Sequence, residues 1–158
     1  MIKEMQSVLL KDTLKPEDVY FVNDLKTRQE LIKFGSQKIH PLIKGICSNK
    51  VLYERLAEVD KLNNVLDNGF FIPHAKFSDL KELCSVLLLS PQGVKDDRSE
   101  TRIFVSFLFL SPLKPSFFQT HLNLLSHVAR IFRKEFITEI SALKTPAEVY
   151  AAILNAEK

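Results

Sequence analysis

Four histidines are spread along the chain, and two of them stand where an imidazole could do chemistry. His74 lies in the segment Gly69-Phe70-Phe71-Ile72-Pro73-His74-Ala75-Lys76-Phe77, directly after a short apolar run and a proline. The run reads as a strand, so His74 stands at a strand end and leads into residues 75–80, a loop or turn. In an α/β sheet, that is where ligand crevices open. A satisfied core histidine is the rival reading of the same placement. His121 belongs to a helical segment, 116–134, and shares its apolar stripe with Leu125, Val128 and Phe132. It falls in the first turns, where unpaired N–H groups and the helix dipole favour an anion. His127 groups instead with Asn123, Arg130 and Lys134 on the polar face and is expected to be solvated. His40, beside Pro41 at an expected helix kink, reads as structural.

Two histidines so placed suit phosphoryl transfer. An imidazole of ordinary pKa, about 6.5, is largely unprotonated near pH 7 and is a good nucleophile. A hydrogen bond to one ring nitrogen fixes the tautomer and frees the other for attack. A second histidine and a helix N-terminus can then stabilise the charged oxygens of an in-line transfer. Metal chemistry lacks its ligands: there is no HExxH, and Cys47 and Cys84 form no CxxC or Cys/His spacing. Both cysteines read as buried thiols. GxGxxG, P-loop and GxSxG patterns are absent too, and four glycines are too few for a phosphate-binding loop. No cofactor and no metal are expected.

The elements that must carry these histidines alternate between strands and helices. Residues 19–22 read as a short strand, and Thr27 with Glu30 forms a capping box that opens a helix. Pro41 kinks or ends that helix, and a second helix starts near Ser48. Residues 69–72 read as a strand. The continuous apolar runs 84–90 and 103–111 read as central strands covered on both faces. Pro112 and Pro115 stop the second run, Ser116 and Gln119 suggest another capping box, and helical spacing continues through 135–143. Thr145-Pro146-Ala147-Glu148 opens a last helix. The expected architecture is α/β: a mixed, largely parallel sheet flanked by helices on both faces.

At 158 residues, 46% hydrophobic and 26% charged, the chain reads as one globular domain, 1–158. The net charge is +3 with the signs interspersed, so no basic stripe suggests nucleic acid. Early charges argue against a signal peptide, and the apolar runs are too short to span a membrane as helices. A cytoplasmic protein without membrane insertion is expected.

Gly69-Phe70-Phe71-Ile72-Pro73-His74-Ala75-Lys76 resembles the Gly-Ile-Ala-Ile-Pro-His-Gly/Ala-Lys/Arg segment of type 2 enzyme IIA domains. These are the fructose, mannitol and nitrogen-regulatory enzymes IIA of the bacterial phosphoenolpyruvate:sugar phosphotransferase system. Residues 104–112, 121–132 and 144–154 resemble the family's core strand, its His-Leu helix and its closing helix. Residues 1–60 agree only in element order. The resemblance implies a phosphocarrier in which His74 accepts phosphate from a histidine-containing phosphocarrier protein, forming a phosphohistidine, with His121 assisting. As no enzyme IIB or IIC domain is attached, it implies a regulatory output of the nitrogen-regulatory type, acting on a target protein.

Two departures stand out. The family's Arg-Glu pair, about sixteen residues before the active histidine, falls on Glu58-Val59, and its Gly-Ser/Thr turn on Asn63-Asn64. Phe71 stands where a small residue is usual. Arg55, one helical turn before Glu58, is the nearest arginine and the candidate to bind the phosphoryl group. Phe70, Phe71 and Phe77, with Phe117 or Phe118, are candidates for an apolar docking rim. These departures keep two other readings open. One is a degenerate enzyme IIA fold that binds a partner without phosphotransfer; the other is a sugar-specific transport component with a separate enzyme IIB.

Overall fold

The structure is a computed structural model that describes residues 8–43, 45–62 and 65–158. The charged start of the chain, residues 1–7, and the turn expected at Asn63-Asn64 lie outside the described residues. Among the described residues, five strands and five α-helices follow in the order β1 (Val19–Phe21), α1 (Arg28–Ile39), α2 (Asn49–Asp60), β2 (Phe70–Phe71), β3 (His74–Phe77), β4 (Cys84–Lys95), β5 (Arg102–Pro112), α3 (Phe118–Ile131), α4 (Lys134–Ser141) and α5 (Pro146–Ala156). They form one mixed sheet with helices on both faces.

The long apolar runs make the centre of that sheet. β4 and β5 pair antiparallel, with Leu87 opposite Phe107. β1 lies parallel along β4, and β2 and β3 lie parallel along the far side of β5. Side chains alternate across a strand, so each central strand serves two cores. Val86, Leu88, Leu108 and Leu110 pack with Leu31, Ile32, Leu52 and Leu56 of α1 and α2. Leu87, Leu89, Phe107 and Phe109 pack with α3, α4 and α5 through Leu124, Val128, Ile137 and Val149. All four strand positions on each face are fully buried, which is why these runs read as continuous rather than alternating.

Local chemistry sets the helix ends. Thr27 accepts from the Glu30 amide at 3.0 Å and Glu30 accepts from the Thr27 amide at 3.1 Å, the reciprocal box that opens α1. Pro41 has no N–H to continue the ladder, so α1 stops at Ile39 and one 3-10 turn, His40–Leu42, follows. Gly35 lets α1 lie close on β5, since a Cβ there would press into the Leu108 side chain. Ser48 caps α2 through the Val51 amide, and Thr145 with Glu148 boxes the start of α5.

Three local expectations are corrected. Ser116 and Gln119 form no capping box: Pro115 starts a 3-10 turn that takes in Ser116, and α3 begins at Phe118 without a side-chain cap. α4 is a helix of its own, separated from α3 by Phe132 and Arg133. Residues 75–77, expected in a loop, are strand, so His74 begins β3 rather than ending a strand. Pro73 separates β2 from β3 because it cannot donate to the ladder, yet its carbonyl accepts from the Phe109 amide at 3.1 Å. The chain therefore stays alongside β5 through the break.

Candidate functional site

β3 is an edge strand bonded only to β5, and its alternation divides its side chains. Ala75 and Phe77 are buried toward α1 and α2, while His74 and Lys76 are half-buried on the other face. His74 sits opposite Phe109 in the parallel register, and their rings stack with centroids 5.3 Å apart and planes 11° off parallel. α3 brings His121 against the same phenylalanine at 5.1 Å. The two imidazoles thus meet over Phe109, 5.3 Å apart and inclined by 59°. Sequence reasoning named both histidines; the fold brings them together.

The hydrogen bonds fix which nitrogen does what. His74 Nδ1–H donates to the Ile72 carbonyl at 2.8 Å, since a carbonyl can only accept. Nε2 then carries a lone pair. The Ser111 hydroxyl lies 2.6 Å from His121 Nδ1, and both residues are buried. Ser111 has no other side-chain partner among the described residues, so its O–H is satisfied only by donating to Nδ1. That leaves His121 with its proton on Nε2, as a donor. Burial pushes the His74 imidazole below its ordinary value, and the charge of Lys76 adds to the effect. The Ile72 bond and the charge of Asp60 oppose it. His121 is driven down to about 4, first by burial and then by His74 and Lys76. At neutral pH one ring is a free nucleophile and the other a neutral hydrogen-bond donor.

Several expected site residues fall elsewhere. Phe70, Phe71 and Phe77 are 0%, 1% and 6% exposed, so they belong to the cores and form no rim. Phe70 stacks on Phe132 and Phe71 lies under the Arg28 guanidinium. The apolar side chains that do face solvent around the start of α3 are Leu113, Phe118 and Leu122. Arg55 donates from Nη1 to the Lys76 carbonyl at 3.0 Å and packs its guanidinium over the Phe77 ring. It clamps the outer edge of β3. Glu58 is exposed and bonded to Lys61. Lys76 is the cation whose charge bears on both imidazoles, and its ammonium sits 5.0 Å above the Phe118 ring.

His127, expected on a solvated face, is only 9% exposed: its Nε2–H donates to Glu157 at 2.6 Å. The same carboxylate accepts from the Leu10 and Lys11 amides, so residues 10–11 and Glu157 meet on α3. His40 bonds the Cys47 carbonyl at 2.7 Å, a structural role as expected. Cys47 and Cys84 are free and only partly buried, and burial pushes the Cys84 thiol up to about 11. No group of three or more His, Cys, Asp or Glu among the described residues could hold a metal ion.

Sequence reasoning missed Ser111, Phe109 and a buried ionic cluster. A serine two residues after Phe109 in an apolar strand shares its face, and that was the available signal for Ser111. Arg28 is fully buried and bonds Asp60 through Nε and Nη2 at 3.1 and 2.8 Å, and Asp96 through Nη1 at 2.6 Å. Arg98 adds a bond to the Asp60 carbonyl. The cluster ties α1, the end of α2 and the β4–β5 connection behind β2, out of reach of any local pattern.

A mixed α/β sandwich with a histidine pair between an edge strand and a helix start defines a recognisable class. The family model for the phosphoenolpyruvate-dependent sugar phosphotransferase system, EIIA 2, matches residues 12–156. The chain belongs to that family. No curated protein matches it in sequence. Among solved structures it is similar to the nitrogen regulatory protein IIA-Ntr of Neisseria meningitidis, with TM-score 0.79 and 19% identity over 91% of this chain and 98% of that one. It is also similar to IIA mannitol of Escherichia coli, with TM-score 0.72 and 14% identity over 89% and 99%. A third similar chain comes from the Escherichia coli complex of enzyme IIA mannitol with phosphorylated enzyme IIB mannitol, with TM-score 0.71 and 14% identity over 90% and 98%. No helix among the described residues is long and apolar enough to cross a membrane.

Proposed function

We propose that this domain is a phosphocarrier that takes a phosphoryl group on His74 Nε2 from a histidine-containing phosphocarrier protein. The observation that carries the reading is the pairing of tautomers: Ile72 holds the proton of His74 on Nδ1, and Ser111 directs that of His121 to Nε2. The lone pair of His74 Nε2 forms the new N–P bond as the donor's N–P bond breaks, and the donor histidine keeps that electron pair. His121 Nε2–H donates to a phosphoryl oxygen, and Lys76 offsets its charge. The output is regulatory, with the phosphorylation state controlling a target protein, in keeping with the likeness to IIA-Ntr. A sugar-specific role would instead require transfer to an enzyme IIB. Leu113, Phe118 and Leu122 offer the apolar rim on which a partner would dock.

One observation favours a second reading, partner binding without phosphotransfer. Glu58, at the position expected for the family's arginine, is a carboxylate, and Arg55 one turn earlier turns Nη1 to the Lys76 carbonyl and its face over Phe77. Phe71, by contrast, is buried away from the histidines and does not occlude them. Incubation with the general phosphotransferase proteins and phosphoenolpyruvate, followed by intact mass and peptide mapping, tests the choice. One acid-labile, base-stable phosphoryl group on His74 is expected. Absence of any mass gain would favour the binding module, and a label on serine or His127 would overturn the assignment.

A further inference from the structure

The β1–α1 connection and the far end of β4 enclose a cavity of about 300 Å³ at the opposite end of the sheet from the histidines. Ligand sites of open α/β sheets lie outside the carboxyl ends of strands, and this cavity opens past the carboxyl end of β1, beside the last six residues of β4, 90–95. Three cations, Lys26, Lys95 and Arg102, line it, together with Asn23, Ser90 and Gln92 and no carboxylate. No described carboxylate lies within ion-pair distance of any of the three.

The bulge of β4 shapes the cavity. Pairing with β5 slips between Leu89 and Val94, and Gly93 turns the chain at φ +80°. A side chain at Gly93 would lie 2.8 Å from Arg102 Nε, so the glycine also makes room for the guanidinium. Arg102 Nη2 holds the Gln92 and Gly93 carbonyls at 3.4 and 3.1 Å, which orients the group and leaves its other N–H donors uncommitted to them. Ser90, in the same bulge, is only 3% exposed, and its hydroxyl has no hydrogen-bond partner among the described residues. Lys26, Lys95 and Arg102 are exposed and solvated, while the Ser90 hydroxyl has no partner among the described residues; an anion with several acceptor oxygens could engage the three charges and satisfy the hydroxyl together.

We propose that this cavity binds a small soluble phosphate monoester. A monoester brings close to two negative charges and three acceptor oxygens, enough for the cations and the Ser90 hydroxyl together. The volume is at the lower end for small-molecule sites. The adjoining groove shares Lys26 and Lys95 but carries Asp97 and Glu100, which repel an extended polyanion. Arg102 and Phe109 lie about 23 Å apart along β5 at a strand rise of roughly 3.3 Å per residue, so this site and the histidine pair are read independently.

The test titrates the isotope-labelled full chain with glycerol 3-phosphate and, separately, with inorganic phosphate and with vesicles containing phosphatidic acid, following backbone amide shifts. Glycerol 3-phosphate should give saturable shifts at Asn23, Ser90, Gln92 and Lys95. A Lys26→Gln, Arg102→Gln double variant should weaken them by about tenfold or more, roughly the loss of one good charge-assisted contact. Ser90→Ala should weaken them several-fold. Lys26→Gln alone, at an exposed position, serves should the double variant fail to fold. Absence of saturable shifts up to about 10 mM, a dissociation constant of no specificity, would overturn the proposal. So would shifts unchanged in the variants, shifts centred on His74 and His121, or a response to the vesicles alone.

Discussion

The Ser111 hydroxyl meets His121 Nδ1 at 2.6 Å in a place where neither has water to turn to. Their bond decides which His121 nitrogen carries the proton. Ser111→Ala should therefore slow phosphoryl acceptance by about tenfold, less than the roughly 10²–10³ lost with an oxyanion donor itself, because Ser111 acts through His121. The protein should stay folded, because a buried hydroxyl replaced by hydrogen leaves only the Nδ1 lone pair unmatched. Initial rates of mass gain at His74 check this; a folded variant at the wild-type rate would show that the tautomer is set otherwise.

Acid should weaken the fold through His121. Its pKa is about 4 in the folded chain against about 6.5 when unfolded. Between those values the unfolded chain binds the extra proton, so stability is full above pH 6.5 and is lost as pH falls toward 4. The loss approaches about 3 kcal/mol, and the lowered value of His74 acts in the same direction. Denaturant melts at pH 7 and pH 4.5 should differ less for His121→Asn than for wild type. An equal difference would place the acid sensitivity in the carboxylates.

The contacts of Arg55 predict an effect through the strand it clamps. Arg55→Ala removes a donor from the Lys76 carbonyl and the cover over Phe77, at a cost of about 1 kcal/mol. Transfer should slow several-fold because β3 then holds His74 less firmly. Glu58→Arg, at an exposed position bonded to Lys61, should change the rate by less than about threefold owing to solvent screening. A large gain from Glu58→Arg would instead put residue 58 beside the phosphoryl group.

Removing Arg28 should be severe. Asp96 would remain buried without its cation and Asp60 with the Arg98 guanidinium alone, at 3.3 Å; breaking a buried pair in this way typically costs about 3–5 kcal/mol. Arg28→Lys should rescue little, since one ammonium cannot match the forked geometry that spans both carboxylates. Urea midpoints of the two variants measure this directly, and a shift under about 1 kcal/mol would mean that the cluster is hydrated.

Partner contact and core packing separate on two phenylalanines. Phe118 is 46% exposed, so Phe118→Ser should leave the melting temperature nearly unchanged while weakening a docked partner by about tenfold. Phe77→Ser should unfold the protein by several kcal/mol, as expected for a buried aromatic. The opposite pattern, affinity lost only with Phe77, would return that residue to the docking surface.

Local grammar was legible in the chain. Thr27 with Glu30, Ser48, and Thr145 with Glu148 announce helix starts because a cap acts within a few residues. The uninterrupted runs of β4 and β5 announce strands buried on both faces, and the two histidines stand out by type and position. Burial of an isolated aromatic or histidine was not legible, since it depends on what crosses above it. Phe70, Phe71, Phe77 and His127 were misplaced for that reason: Phe71 and Phe77 turn toward α1 and α2, Phe70 packs under Phe132, and His127 is covered by Glu157 from the far end of the chain. The residues identified by sequence could do chemistry; only the sheet order, with β3 on the outer edge of β5 and α3 laid across it, puts His74, Phe109, Ser111 and His121 in one place. The basic cavity and the Arg28 cluster belong to the same category, because charges far apart in sequence become neighbours only when long-range strand pairing has fixed the loops that carry them.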